Sequence, residues 1–244
     1  MLEMIVALAL GSLILVATGA ALGNVTKIFR NTSGRDQALR DLAKAHRSLE
    51  LDLRLATSNA LSIVQAPASL GGGADGDAIN YLSAVNTTDG NQAILQDGSG
   101  NPYHFLNCIY YLTTPTDHDT LFSNTCVGGN EGGYDYQCPH KILLRVIEDE
   151  NPAYDPTDQT TQDTLLPSLA TFLVRPTGFP NSMTRRTVAI NLLTFQVRRV
   201  NRELVVDLWA VSLADARRKL AIGTTSLRNS PYTVKHQFSV FPKN

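Results

Sequence analysis

Apolar and polar residues are laid out along this chain in two regimes. Met4 to Val25 is a run of 22 residues without a charge, MIVALALGSLILVATGAALGNV. A helix of that length is roughly 33 Å long, close to the ~30 Å hydrocarbon core of a bilayer. A cleaved secretory signal would have a shorter core, with Lys or Arg ahead of it and a small-residue cleavage site behind. Here the apolar run leads straight into a second helical pattern. Asn31-Thr32-Ser33-Gly34 is expected to interrupt the helix, with Ser33 and Asp36 forming a capping-box-like restart. Leu39, Leu42, His46, Leu49, Leu53, Ala56 and Ala60 then recur at spacings of three and four, which predicts an amphipathic helix of roughly 25 residues. Its stripe suits packing on the protein's own sheet, and His46 within it reads as a satisfied, half-buried residue.

Residues 66–77 read as a Pro/Gly linker, and period-two patterning follows. Strands are expected at Ala78–Val85, Tyr103–Leu112, Lys141–Ile147 and Ser168–Val174, with a last one at Tyr232–Phe241. The clearest hairpin runs from Val188–Val200 through Asn201 and Arg202 into Leu204–Ser212. LVVDLWAV is apolar on both faces, which predicts a central strand covered on both sides and a buried Trp209. Asp215–Leu220 reads as a short helix. The fold class expected is α+β: a long N-terminal helix, membrane-spanning in its first half and amphipathic in its second, packed on an antiparallel β-sheet. The expected division is 1–30 for the membrane or filament-core helix, 31–65 for the amphipathic helix and 66–244 for the β-rich globular part.

Charge changes this picture little. The net charge is −1 and charged residues make up 18%, so no basic surface implies nucleic acid. The three cysteines, Cys108, Cys126 and Cys138, stand at no zinc spacing. The Gly-rich stretch between Cys126 and Cys138 favours that pair as a disulfide, although three pairings are open. No nucleophile elbow, phosphate loop or zinc helix is present, so no catalytic residue is assigned and the chain is not read as an enzyme. Asp117-His118-Asp119 reads as a solvated turn. No cofactor is expected; Asp75 and Asp77, and the loop carrying Asp155, Asp158 and Asp163, are weak calcium candidates without EF-hand spacing.

Glu3 is the unusual residue, a carboxylate at the mouth of an apolar helix. It is either solvated at headgroup level or paired with a positive charge from a neighbouring chain. Lys27, Arg30 and Arg35 follow the apolar run, and by the positive-inside rule they would hold the C-terminal part in the cytoplasm unless a basic leader precedes Met1.

Met1-Leu2-Glu3-Met4-Ile5-Val6-Ala7-Leu8 resembles the prepilin signature of type IV pilin-like proteins, in which Gly-Phe-Thr-Leu-Leu-Glu-Met precedes an apolar helix. Leu2 and Glu3 match its last Leu and its Glu, and Met1 stands in place of the first Leu. The Gly, Phe and Thr have no counterpart here. The Trp209 hairpin and the closing Phe238–Asn244 loosely resemble W-type minor pilins and J-type pseudopilins, with Thr225–Asn229 a second candidate for that ending. The resemblance implies a structural subunit of a type IV pilus or type II secretion pseudopilus, held in the inner membrane with its C-terminal domain periplasmic or extracellular. It implies other pilin or pseudopilin subunits as partners, and prepilin peptidase and N-terminal methylation where a leader exists upstream. Glu3 would pair with the N-terminal amine of the adjacent subunit. Met4, Ile5, Val6, Leu8, Leu10, Leu13, Ile14, Leu15 and Val16 would line the membrane or filament core. The rival reading is a membrane-anchored extracytoplasmic binding protein or enzyme with a coincidental Glu3.

Overall fold

The computed structural model describes residues 2–56, 59–71, 76–84, 96, 99–100, 106–123, 138–148, 164–211 and 233–242. Its elements are helix α1 (Leu2–Arg54), strands β1 (Leu61–Gln65), β2 (Asp77–Ser83) and β3 (Leu106–Thr113), and the short helix α2 (His118–Phe122). Strands β4 (Lys141–Glu148), β5 (Arg185–Val200), β6 (Glu203–Val211) and β7 (Thr233–Val240) complete it. The seven strands form one sheet in chain order β1 to β7, and every neighbouring pair is antiparallel.

Helix α1 is a single rod of 53 residues, about 80 Å long at 1.5 Å per residue. The expected interruption at residues 31–34 does not occur. No proline precedes Pro67, and the hydroxyls that threaten a helix are turned inward onto it. Thr18 donates to Ile14 O, Thr26 to Leu22 O and Thr32 to Ile28 O, at 2.7, 2.8 and 3.0 Å. Gly34 alone costs only about 1 kcal/mol against Ala, too little to stop the helix. The helix ends earlier than expected, at Arg54, so residues 61–65 are not its continuation. They form β1, the edge strand of the sheet.

The second half of α1 lies across β5, β6 and β7. Ala38, Leu42, Ala45, Leu49, Leu53 and Ala56 are buried against Phe195, Val197, Leu204, Val206, Leu208 and Ala210. This stripe is rotated from the expected one: Leu39 is exposed, while Ala38 and Ala45 are buried. Two alanines bring helix and sheet close, and a stripe counted from large residues alone misses them.

The opposite face is covered over β2–β4 by residues 66–70 and 164–173, which bury Ile109, Tyr111, Ile142, Leu144 and Val146. Thus β2, β3 and β4, rather than β6, are the strands buried on both sides. In β6, Leu204, Val206, Leu208 and Ala210 face α1, whereas Val205, Asp207 and Trp209 alternate to the other face and are half-buried. Trp209, expected to be buried, packs beside Leu193 and Val211 with Lys235 Nζ 4.3 Å from its ring centroid. The strand expected at Ser168–Val174 is a 3-10 turn, Leu169–Phe172, whose Leu169 packs on the sheet. The expected linker contains another such turn, Ala68–Leu70, with Leu70 buried. The remaining strands follow the expected segments, with β5 beginning three residues early and Asn201 adopting left-handed φ 58° in the hairpin turn. Residues 215–220 lie outside the described residues.

Candidate functional site

Two features of α1 stand out: a bare apolar half, and a docked half fixed by polar latches. In the bare half Met4, Val6, Leu8, Leu10, Leu13, Ile14, Leu15 and Val16 are all exposed, Leu15 by 75%. Leu22, Val25, Ile28 and Phe29 continue the pattern around the whole circumference. The helix is long and apolar enough to cross a membrane. An apolar surface of this extent on every side of a helix is out of keeping with exposure to water. Glu3 is exposed in its first turn, and the nearest basic side chain further along the chain is Lys27. The side chains of Leu2 and Ile5 lie outside the described residues.

In the docked half, Asp41 and Asp52 are eleven residues apart, three turns of one helix face. Asp41, 1% exposed, accepts from Gln37 Nε2 at 3.1 Å and from Asn191 Nδ2 at 3.2 Å. Asn191 reaches it because β5 is irregular there: its φ is 60°, and the β4–β5 register shifts between Leu143 and its neighbours. Asp52 Oδ2 accepts from Arg145 Nε and from Tyr110 Oη, both at 2.6 Å, and Ser48 Oγ lies 2.9 Å from the same tyrosine oxygen. Tyr110 and Arg145 are direct partners across β3 and β4, so the sheet presents both to the helix at one level. Arg145 side-chain exposure is 10% and that of Asp52 20%.

Burial pushes Tyr81 and Tyr110 well above the usual phenol range, and the Asp52 charge adds to it. The Cys108 thiol, opposite Tyr81 across β2 and β3, is pushed by burial up to about 11. It is a free buried cysteine, whereas Cys138 is disulfide-bonded. Cys126 lies outside the described residues. Beside the Asp52 latch a groove of about 380 Å³ opens, lined by Lys44, Arg47, Ser48, Asp52, Arg145 and Arg186 among others.

His46 is half-buried as expected. Its Nδ1 lies 3.0 Å from His236 Nε2, its ring stacks on Phe238 at 4.1 Å, and Glu50 is 3.4 Å from its Nε2. His118 is not solvated: it is 2% exposed, with Nδ1 3.0 Å from Asp119 and Nε2 3.5 Å from Cys138 Sγ. Its ring and that of His140 pack around Phe122. Asp117, at the start of the same turn, accepts from Gly178 N at 2.8 Å. Among the described residues no group of His, Cys, Asp or Glu could hold a metal. Asp77 is occupied, accepting from Val197 N at 2.7 Å, and burial raises its pKa. Asp75, Asp155, Asp158 and Asp163 lie outside the described residues. The latch residues Asp41, Asp52, Arg145 and Asn191 were not legible as a site; the one signal was the pair of acids at three-turn spacing beside the apolar stripe.

No protein-family model, curated protein or solved structure matches this chain.

Proposed function

We propose that this chain is a pilin-like subunit, a minor pilin or pseudopilin, whose N-terminal half-helix is held in a membrane and then in the apolar core of a filament. The observation that carries the reading is one uninterrupted helix, apolar on all sides at its start and latched to an antiparallel sheet in its second half. A membrane anchor alone could be joined to its domain by any linker. A rigid rod instead passes the position of the apolar half directly to the globular part, which is what a subunit needs to repeat at fixed axial spacing. The Asp41–Asn191 and Asp52–Arg145 contacts support this by fixing the helix against sliding, since polar partners specify a register that apolar stripes leave loose. Glu3 supplies selectivity: an acid in apolar surroundings requires a counter-charge, and the amine of a neighbouring copy or relative provides one.

A photo-crosslinking residue at Leu13 in the native host tests this. The expected products join this chain to the apolar N-terminal helices of other subunits. Crosslinking only to lipid, with the membrane level of the chain unchanged, would overturn the reading.

The cationic groove beside Asp52 favours a second reading, a membrane-anchored extracytoplasmic binding protein. It predicts that ligand binding by the globular part accounts for the phenotype and that crosslinks from Leu13 to other subunits are absent.

A further inference from the structure

The groove between α1 and the β4–β5 pair collects more positive charge than its surroundings neutralise. Lys44 and Arg47 enter it from the helix, Arg145 from β4 and Arg186 from β5, against the single carboxylate of Asp52. Arg145 and Arg186 are direct partners across the two strands. Like charges in that relation work against the sheet, and Asp52 relieves only one of them, its Oδ2 being shared between Arg145 and Tyr110. Lys44 has a distant partner in Asp41 at 4.0 Å. Arg47 and Arg186 are exposed and have no ion-pair partner among the described residues. Three guanidinium groups from three different elements therefore line one space of about 380 Å³, within the ~300–1,000 Å³ of small-ligand sites.

We infer that this groove is a binding site for a small tetrahedral oxyanion, a phosphate or sulfate group carried on a soluble molecule. A planar carboxylate is satisfied by one bidentate arginine, whereas a tetrahedral dianion presents oxygens in several directions and takes donors from several sides. Arg145, nine-tenths buried and held at Nε by Asp52, supplies a fixed donor at the floor. Arg47 and Arg186 close on the anion from the two walls. A lipid phosphate is the other source of this chemistry. Lys44 lies 19 residues beyond Val25 on the same helix, about 28 Å past the end of the uncharged run. On the membrane-anchored reading of α1, that distance puts the groove beyond headgroup reach.

The test uses the full chain in an uncharged detergent, titrated calorimetrically with inorganic phosphate at constant ionic strength. Saturable binding is expected, weakened roughly tenfold or more in Arg47→Gln/Arg186→Gln. That double variant should fold normally by circular dichroism, because both side chains are exposed and one like-charge pair is removed. Sulfate should compete with phosphate, and succinate should bind roughly tenfold or more weakly. No saturable phosphate binding by the wild type, equal binding by the double variant, or equal binding of succinate would each overturn the assignment. In nanodiscs, phosphate affinity should be the same in neutral and in phosphatidylglycerol-containing bilayers. Its loss in the anionic bilayer would give the groove to headgroups and overturn the soluble ligand. None of these outcomes depends on filament assembly, so the groove and the subunit reading fail separately.

Discussion

Asp52 of the helix and Arg145 of β4, 93 residues apart in sequence, meet at 2.6 Å, and Tyr110 donates to the same carboxylate oxygen at the same distance. One acid thus fastens α1 to two central strands. Replacing a partner in such a pair leaves the other charge uncompensated in a poorly hydrated place. Asp52→Ala should lower unfolding stability by about 3 kcal/mol, measured by urea denaturation of the full chain in uncharged detergent. Combining it with Arg145→Met and Tyr110→Phe should recover most of the loss, because no stranded charge or phenol hydroxyl remains and the Ser48 hydroxyl, half-exposed at the groove, is open to water. A single variant as stable as wild type, or a triple variant no better than the single, would show that the contact does not hold the helix down.

The sheet and the rod were legible to different degrees for physical reasons. Strands β2 to β7 announce themselves because alternating or continuous apolar runs have few other uses in a polar, turn-rich sequence. β1 was hidden: Leu61–Gln65 is half-buried in four of its five positions, and its apolar residues follow the helical stripe without a proline between. The 3-10 turn at Leu169–Phe172 has the sequence pattern of a strand, because Leu169, Phe172 and Leu173 supply the same apolar count whichever way the backbone turns. The latches were invisible because each joins residues from distant segments. Nothing local to Arg145 marks it as the partner of Asp52, whereas Glu3 is marked by its own neighbours, an acid beside 22 uncharged residues.

Alkaline pH should loosen the helix-facing side of the sheet. Cys108, Tyr81 and Tyr110 are all raised by burial, the thiol from 9.0 to about 11. The folded chain therefore holds protons that the unfolded chain releases above pH 9, and stability that is intact below that pH falls as pH rises toward 11. Under native conditions at neutral pH, a thiol reagent should modify no cysteine in this chain. After unfolding without reductant it should modify one, Cys108, which is free where Cys138 is bridged. Rapid native labelling of Cys108, or more than one thiol in the unfolded, unreduced chain, would contradict this.

Acid should act at the other edge of the helix contact. His236, paired with His46 across α1 and β7, has its pKa lowered from 6.5 by burial and by the neighbouring His46. The folded chain resists a proton that the unfolded chain accepts, so stability is full above pH 6.5 and declines as pH falls below it. Glu50 lies 3.4 Å from the Nε2 of His46. His236→Gln should flatten the decline between about pH 6.5 and 5 with little change at neutral pH. Thermal melts of wild type and variant across that range would show it, and parallel curves would assign the acid sensitivity elsewhere.

On the proposed subunit reading Glu3 carries the assembly mechanism, and it gives that reading its most discriminating test. It sits in the first turn of α1, where a carboxylate is favourable toward the helix dipole. That interaction is satisfied within one chain and predicts no effect on partners. The pairing reading predicts more: the next basic side chain along the same helix is Lys27, about 36 Å away at 1.5 Å per residue, too far to serve Glu3, and on this reading the counter-charge is the amine of an adjacent subunit. Glu3→Ala should leave membrane insertion and the globular fold intact, since removing a charge makes the span more apolar. Docking onto neighbouring subunits should be lost, with recovered partner reduced roughly tenfold or more at matched membrane levels. Glu3→Asp should recover part of it and Glu3→Gln little, because charge and not hydrogen bonding makes the pair. Pull-down of crosslinked partners from solubilised membranes of the four strains measures the effect. Equal recovery from Glu3→Ala and wild type would remove charge pairing at the helix start as the basis of assembly, and would leave Glu3 with only its place beside the helix dipole.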